Sequence, residues 1–393
     1  MWLIVVAVIS WFTLLAWIAA AILTLRARKG QRPLVVLDEI DLKQSDAPSV
    51  SILVPCRNEA GRVLRQSIGS MLAQDYGKFE LIAIDDRSTD ETKAILFELA
   101  ARDPRMRVIE GAEVPEGWIG KPHALQQGLQ AARGEWILAT DADMLYAPEA
   151  LREAIAHARC GSLDALSFIP RVDCLSFWER VFMPVFGWIL MVMLPLYRVN
   201  DPRHGEAIAA GGFFLIKREI LERLGGYSVV RNEVAEDLRL AEKLKRAGAR
   251  FRLEYAPHLV RTRMQTNLRE IWEGFSKNLF AGVGYRPVQG TAGAFLTFLL
   301  GIAPPLITLT ALLKGDLPAA IWVPAAFSWA VQVAIFMAVD LWADVPILYA
   351  LTAPLGFALF GAILLNSTIR IATGIGVTWR GRRLYAEEIP PRY

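Results

Sequence analysis

Residues Thr140 to Met144 read T-D-A-D-M and put two carboxylates, Asp141 and Asp143, one residue apart. The four residues before them, Trp136 to Ala139, are an apolar run that suits a buried strand. Carboxylates at alternate positions beyond such a strand can converge on one hard cation, Mg²⁺ or Mn²⁺, which can in turn grip a diphosphate. The plainer alternative is a strand followed by an acidic turn. Two more polar clusters follow apolar runs, Asn58-Glu59 and Asp85-Asp86. Like charges gathered on one rim repel unless something positive joins them. A sugar nucleotide with a divalent ion meets that demand, because uracil and ribose need acceptors and the diphosphate needs the ion. Lys121 could hold a phosphate as a point charge, or be a surface lysine at a helix start. Farther along, Glu236 and Asp237 head an amphipathic stretch with Leu238, Leu240, Ala241 and Leu244. The helix dipole alone favours a pair of acids in a first turn.

These groups need a scaffold that brings strand ends together, and residues from Ser49 onward supply one. Val50 to Val54 reads as a strand, and a helix follows with Val63, Leu64, Ile68, Met71 and Leu72 on one face. Leu81 to Ile84 is a second strand. Ser88 and Glu91 have capping-box spacing, so a helix should start there. Arg107 to Ile109 is a third short strand, and Lys121 to Ala132 a helix closed by Gly134. Strands alternating with helices predict an α/β domain with a mostly parallel, doubly wound sheet. In such sheets ligands bind beyond the carboxyl ends of the strands, where the acidic clusters fall.

The chain as a whole is too apolar for an ordinary soluble protein. Of 393 residues, 54% are hydrophobic and 21% charged, with a mean hydropathy of +0.32; a soluble domain joined to membrane spans explains both. A net charge of +3 gives no sign of a nucleic-acid partner. Cys56, Cys160 and Cys174 lack metal spacing and read as reduced thiols of a cytosolic domain. Trp2 to Leu25 is long enough to cross a bilayer, and Arg26, Arg28, Lys29 and Arg32 follow it. Charge after the apolar run, rather than before it, marks an uncleaved anchor with the next residues on the cytoplasmic side.

The ordered set S-I-L-V-P-C-R-N-E, A-I-D-D-R-S-T-D-E-T, G-K-P-H-A-L-Q-Q-G and T-D-A-D-M resembles the family 2 glycosyltransferases of GT-A fold. The resemblance continues through G-G-F-F-L-I-K-R-E at 211–219 and A-E-D-L-R-L-A-E-K-L at 235–244, covering most of residues 49–285. It implies a GT-A, Rossmann-like catalytic domain. It also implies roles. Pro55 and Glu59 line the nucleotide pocket, and Asp86, beside Asp85, contacts uridine or ribose. Asp141 and Asp143 hold the metal diphosphate, and Asp237, after Glu236, is the general base on the acceptor hydroxyl. The chemistry agrees with that last role, since inverting transfer needs a carboxylate opposite the leaving group.

One departure bears on the product. Processive members carry a Q/R-x-x-R-W motif after the base, and no Arg-Trp pair occurs between Leu268 and Leu279. Leu268, Ile271, Trp272, Phe275 and Leu279 instead form one apolar face, either of an interfacial helix or of a core helix. The aromatic run Phe177 to Leu194 reads as one or two helices dipping into the membrane surface, or as a further span. Trp178, Phe182 and Trp272 would then wall an acceptor cleft. After Gly290 come apolar stretches at 292–313, 318–339 and 345–366, each long enough to span. Three crossings would put the tail outside, yet Arg370, Arg380, Arg382 and Arg383 prefer the inside. Either one stretch is re-entrant, with Pro304-Pro305 making the first the suspect, or the tail is external; a cytoplasmic tail fits better. Its G-V-T-W-R-G-R run resembles the V-T-x-K-G gating segment of membrane family 2 synthases.

The sequence thus divides into an anchor (1–25), a linker (26–48), a cytoplasmic catalytic domain (49–290) with interfacial helices near 175–197 and 266–280, a transmembrane region (291–367) and a basic tail (368–393). The expected activity is transfer of one sugar from a nucleotide sugar to a lipid hydroxyl at the cytoplasmic membrane. A polysaccharide synthase is opposed by the missing Arg-Trp pair, and a non-catalytic nucleotide-sugar scaffold by the intact Asp141, Asp143 and Asp237.

Overall fold

The strand ends that carry the acidic clusters lie side by side. In a computed structural model, which describes residues 1–31, 33–35, 47–379 and 382–384, β1 (Val50–Cys56) pairs in parallel with β2 (Phe79–Asp85). Beyond β2 lies β3 (Met106–Glu110), and on the other side of β1 lies β4 (Trp136–Ala139). Helices α2 (Leu64–Leu72), α3 (Thr92–Ala100) and α4 (Gly120–Ala131) make the crossovers. Ile52, Leu53, Leu81, Ile82 and Leu138 are fully buried, as expected for parallel strands covered on both faces. Helix α3 does not start at a Ser88–Glu91 capping box. Ser88 Oγ accepts from the Asn58 amide at 3.2 Å, and Asp90 Oδ1 accepts from the Thr92 amide at 3.0 Å. The loop after β1 has taken the hydroxyl that the helix would have used.

After β4 the chain adds β5 (Met144–Tyr146), α5 (Ala150–Cys160), β6 (Ala165–Ile169) and the short β7 (Arg171–Val172). Later come β8 (Phe214–Lys217), α9 (Glu236–Arg246), β9 (Phe251–Tyr255) and β10 (Val260–Thr262). Between them stand α6 (Phe177–Met193), the four-residue α7 (Leu196–Val199) and α8 (Arg218–Leu224). The seven-stranded sheet has the order β3-β2-β1-β4-β8-β6-β9. β8 runs antiparallel to both neighbours, so the sheet is mostly but not wholly parallel. A smaller sheet, β5-β10-β7, stands apart from it.

The chain separates into two compact units. One holds residues 31–172 and 196–264; the other holds 1–30, 173–195 and the residues from 265 on. The stretches near 175–197 and 266–280, expected within the catalytic domain, therefore fall almost wholly in the helical unit, and the α/β unit ends at Met264 rather than near 290.

The helical unit contains α1 (Trp2–Gly30), α6, α10 (Leu268–Gly282), α11 (Pro287–Lys314), α12 (Ala319–Trp342) and α13 (Ala353–Ala372). Among the described residues four of its helical segments are long and apolar enough to cross a membrane: 2–29, 287–314, 319–342 and 347–372. The aromatic run at 177–193 is one helix. It opens on a capping box in which Ser176 Oγ accepts from the Glu179 amide and Glu179 accepts from the Ser176 amide.

Contacts within this unit fix the directions of the helices. Thr13 Oγ1 lies 3.3 Å from Ser328 Oγ, and the Arg28 guanidinium stands over the Trp342 ring. Helices α1 and α12 are therefore parallel. Helices α11 and α12 form a hairpin in which Gln332 donates to the Gly301 carbonyl. Gly290 of α11 abuts Thr368 of α13, Gly301 abuts Phe357, and Gly361 abuts Ala294 and Phe298. Small residues let these helices approach closely, and the pairing makes α13 antiparallel to α11. Consequently α13 ends on the side where α1 and α12 end and α11 begins.

Counting 1.5 Å per residue, α11 runs about 20 Å beyond Gly301, whereas α13 begins only about 6 Å beyond Phe357 at the same level. The segment 343–372 thus leaves and returns on one face. It is the third stretch that is re-entrant, not the first. Pro304 and Pro305 sit inside a continuous α11. Arg370 comes to the same side as Arg26, Arg28 and Lys29. A hairpin of β11 (Val377–Trp379) and β12 (Arg382–Leu384) follows. Arg380 and most of the linker at 26–48 lie outside the described residues.

This arrangement sets an expectation for side-specific labelling. In a chain free of other cysteines, Thr373→Cys and Arg286→Cys should react with a membrane-impermeant maleimide from one side of sealed vesicles, and Asp316→Cys from the other. Labelling of positions 373 and 316 from the same side would mean that 347–372 crosses completely.

Candidate active site

Each functional side chain is placed by the end of a strand or the start of a helix. β1 ends at Cys56, and Asn58 adopts φ 51° in the loop beyond, a conformation asparagine tolerates. Asn58 Oδ1 accepts from the Thr89 amide at 2.8 Å, and the Glu59 amide donates to Thr92 Oγ1 at 2.7 Å. These bonds tie the loop after β1 to the loop after β2. Pro55 is half-buried and Glu59 buried.

At the end of β2, Asp85 and Asp86 are both buried. The Asp86 amide donates to the Cys56 carbonyl at 2.8 Å, locking the two strand ends together. Arg87, at φ 55°, turns back so that Nη2 and Nε reach Asp86 Oδ1 at 2.6 and 3.1 Å. A left-handed arginine is a strained backbone of the sort found at functional sites.

At the end of β4, Thr140 Oγ1 donates to the Gly212 carbonyl at 2.8 Å and accepts from the Tyr146 hydroxyl at 2.8 Å. This buried pair fixes the D-x-D turn against residues 211–212, just before β8. Asp141 and Asp143 are both half-buried.

Lys121, the second residue of α4, is half-buried and ion-paired. Its ammonium bridges two carboxylates from distant parts of the chain: Asp141 Oδ1 at 2.7 Å and Glu236 Oε1 at 2.6 Å. Burial pushes the ammonium towards its neutral form, but the charges of Asp141, Glu236 and Asp237 outweigh it and raise its pKa well above the usual lysine value. Asp237 belongs to the same group. A Cβ on Gly211 would sit 2.8 Å from Asp237 Oδ2, 3.3 Å from Lys121 Nζ and 3.5 Å from Asp141 Oδ2. Glu236 and Asp237 are the first two residues of α9, and Asp237 Oδ1 accepts from the Leu238 amide at 2.7 Å.

The structure therefore brings Asp141 and Glu236 onto Lys121, and Lys121, Glu236 and Asp237 line a pocket with Thr140, Gly211, Phe214 and Tyr227. Asp85, Asp86 and Glu59 occupy the neighbouring strand ends. Among the described residues no three His, Cys, Asp or Glu side chains are grouped closely enough to hold an ion. Sequence reasoning missed Gly211 and Tyr227 as site residues, although the G-G-F-F run was the signal for the first. Of the aromatic residues expected at an acceptor cleft, Trp272 is exposed and Trp178 half-buried. Phe182 is fully buried, with Phe275, Phe186 and Phe360 around it. Phe182 thus packs the helical unit rather than offering a surface.

Residues 51–225 match the family model described as Glycosyl transferase family 2. The chain carries a glycosyl transferase family 2 domain. Relatives include an N-acetylglucosaminyltransferase of Mesorhizobium japonicum, 27% identical over 54% of this chain and 50% of that protein. A beta-monoglucosyldiacylglycerol synthase of Nostoc sp. is 29% identical over 51% of this chain and 42% of its own length. The 4,4'-diaponeurosporenoate glycosyltransferase of Staphylococcus aureus is 25% identical over 68% and 70%. The chain spans about half the length of the first two. Among solved structures, a mannosyltransferase from Pyrobaculum calidifontis in complex with GDP-Man and Mn²⁺ superposes with a TM-score of 0.54 at 22% identity, covering 93% of this chain and 98% of that one. The domain has the GT-A, Rossmann-like fold.

Burial, and then repulsion from Glu236, raises the Asp237 pKa to about 7 against the partial relief given by Lys121. Because the folded value lies above the unfolded one, ionising Asp237 weakens the fold as pH rises from about 4 to about 7, and the penalty is complete above that. Asp237→Asn removes the group. Its melting temperature should gain on the natural protein between pH 4 and 7 and stay ahead at pH 8. A constant difference across that range in a thermal melt would show that Asp237 titrates normally.

Proposed function

We propose that the protein is an inverting, metal-dependent glycosyltransferase that moves a single sugar from a nucleotide sugar, UDP-linked, to a hydroxyl of a membrane lipid. The observation that carries this reading is the meeting of Asp141, Glu236 and Asp237 around Lys121 at the carboxyl rim of the sheet. It joins the strand end suited to a donor diphosphate with a carboxylate suited to an acceptor hydroxyl. Asp237 takes the proton as the acceptor oxygen attacks the anomeric carbon opposite the leaving diphosphate. A pKa near 7 leaves it basic enough for that task and about half ionised in neutral solution. Glu236, paired to Lys121, positions its neighbour. Pro55, Glu59, Asp85 and Asp86 hold the base and ribose.

Asp143 and Asp141 would offer hard oxygen donors to Mg²⁺ or Mn²⁺. Bound there, the ion would neutralise charge on the departing diphosphate. The Pyrobaculum mannosyltransferase of the same fold holds Mn²⁺ together with GDP-Man, so guanosine carriers belong in the assay beside uridine ones. Two relatives, one named as a beta-monoglucosyldiacylglycerol synthase and one as a 4,4'-diaponeurosporenoate glycosyltransferase, support a lipid acceptor. Trp178 and Trp272, on two helices of the helical unit, would meet that lipid, with Phe182 packed against Phe275 behind them. The absent Arg-Trp pair supports transfer of one sugar. Arg26, Arg28, Lys29 and Arg370 on one side of the helical unit support a cytoplasmic catalytic domain in the inner membrane.

The test is transfer of labelled sugar from UDP- and GDP-linked donors to extracted membrane lipids, with products identified by mass spectrometry. Asp237→Asn should lower transfer on the order of 10²–10⁴-fold while nucleotide binding survives. Asp143→Ala should cost about two orders of magnitude or more, and excess chelator should abolish turnover. Full activity in chelator would remove the metal, and near-normal transfer by the Asn variant would remove Asp237, from this reading.

A further inference from the structure

The Tyr227 hydroxyl is buried, in a residue only 1% exposed, and has no hydrogen-bond partner among the described residues. Its backbone is fixed on α4, the helix that carries Lys121. The Tyr227 amide donates to Gln126 Oε1 at 2.8 Å. Gly226, at φ 64°, lets the turn come that close, since a Cβ there would stand 2.7 Å from the same Gln126 oxygen. Tyr227 then lines the pocket shared by Lys121, Thr140, Glu236 and Asp237. Burial, and then the Glu236 charge, raises its pKa against Lys121, so the phenol stays protonated and can donate. The other polar groups of the pocket have bonds of their own. Thr140 Oγ1 bonds Gly212 and Tyr146, Lys121 Nζ bonds Asp141 and Glu236, and Asp237 Oδ1 bonds the Leu238 amide. A buried hydroxyl left without a partner is destabilising, and phenylalanine would fill the same space without that cost.

We propose that Tyr227 is a positioning residue for the Glu236–Asp237 pair and acts through one enclosed water. The pocket has room for about one water molecule. Leu125, Ala139, Phe214 and Leu240 complete its wall, so a sugar ring does not fit there. Buried waters join polar groups that would otherwise lack partners. Here the Tyr227 hydroxyl donates to the water, and the water donates to the Glu236 carboxylate. Lys121 grips Glu236 Oε1 at 2.6 Å. Held by both, Glu236 fixes the first turn of α9, and with it the place of Asp237. Tyr227 thus sets where the Asp237 carboxylate stands without touching donor or acceptor. This inference rests on the proposed function, since it takes Asp237 as the base.

Tyr227→Phe keeps the ring and removes only the oxygen, so it tests the hydroxyl without emptying the core. The experiment compares the natural protein, Tyr227→Phe, Glu236→Ala and the double variant, all full-length. Each is measured in steady-state transfer from a UDP- or GDP-linked sugar to extracted membrane lipids, and in a thermal melt. Tyr227→Phe should lower kcat about tenfold, the worth of one good water-mediated bond. It should leave KM for the donor within about twofold, because a group that places the base does not hold the donor. Its melting temperature should fall, since Glu236 and the water lose a bond. In the Glu236→Ala background the same change should cost little more, because the route to Asp237 is already broken. An unchanged kcat in Tyr227→Phe overturns the proposal whichever way the melting temperature moves, and a higher melting temperature would identify an idle hydroxyl. A loss of equal size with and without Glu236 overturns it as well, and so does a raised donor KM at unchanged kcat. Normal transfer by Asp237→Asn would instead remove the base assignment, a failure distinct from that of Tyr227.

Discussion

Carboxylates from two distant stretches of chain, Asp141 and Glu236, meet on the ammonium of Lys121, and this meeting constrains much of what surrounds it. Carboxylates at such distances repel strongly when partly withdrawn from water. They can be held together only by a fixed cation and by a backbone that does not yield. Lys121 supplies the cation from the first turn of α4. The backbone is held by buried hydrogen bonds from Thr140 and Tyr146 to Gly212, which set the D-x-D turn against residues 211–212. Gly211 follows from the same constraint, because a side chain there would enter the space between Asp237, Lys121 and Asp141. The antiparallel placement of β8 beside β4 delivers that glycine to the site. The one irregularity in an otherwise parallel core therefore serves the pocket.

The helical unit obeys a different constraint. In an apolar solvent, helices gain little by hiding apolar surface, and close packing and a few polar contacts decide their arrangement. Gly290, Gly301 and Gly361 bring α11 and α13 together. Thr13 with Ser328, Gln332 with the Gly301 carbonyl, and Trp17 with the Leu300 carbonyl align α1, α11 and α12. These contacts turn a chain with four apolar segments into three full-length helices and one re-entrant hairpin. The arrangement removes the conflict between the number of apolar stretches and the basic residues after the last one.

Much of this was legible in the sequence. The β1, β2 and β4 strands, with the acidic residues at their ends, follow from apolar runs bounded by polar clusters, since a fully buried parallel strand leaves no other pattern. What was not legible depended on partners far away in sequence. Ser88 has capping-box spacing, but its hydroxyl is claimed by Asn58, thirty positions earlier. Lys121 looked like a helix-start surface residue because neither Asp141 nor Glu236 is near it in the chain. The re-entrant stretch was sought at Pro304-Pro305, yet two prolines sit inside a continuous α11. Hydropathy and length describe a segment by itself, whereas the turning back of 343–372 is decided by where α13 finds its glycine partners.

The pocket also shows a site working against the stability of its own fold. Burying Asp237 beside Glu236 costs stability at neutral pH, and Lys121 only partly offsets it. A sequence chosen for stability alone would place an amide at position 237 or move Glu236 away. Retaining two adjacent acids at the start of α9, where the helix dipole and Lys121 make them tolerable, keeps a carboxylate close to neutrality in its pKa. Such a group can accept a proton in neutral solution and return it to solvent when the product leaves. The strain in Arg87 fits the same pattern, because its left-handed backbone turns the guanidinium onto Asp86 at the neighbouring strand end. Local costs in this domain collect along the carboxyl rim of the sheet, while the strands beneath it are built from ordinary, fully buried aliphatic residues.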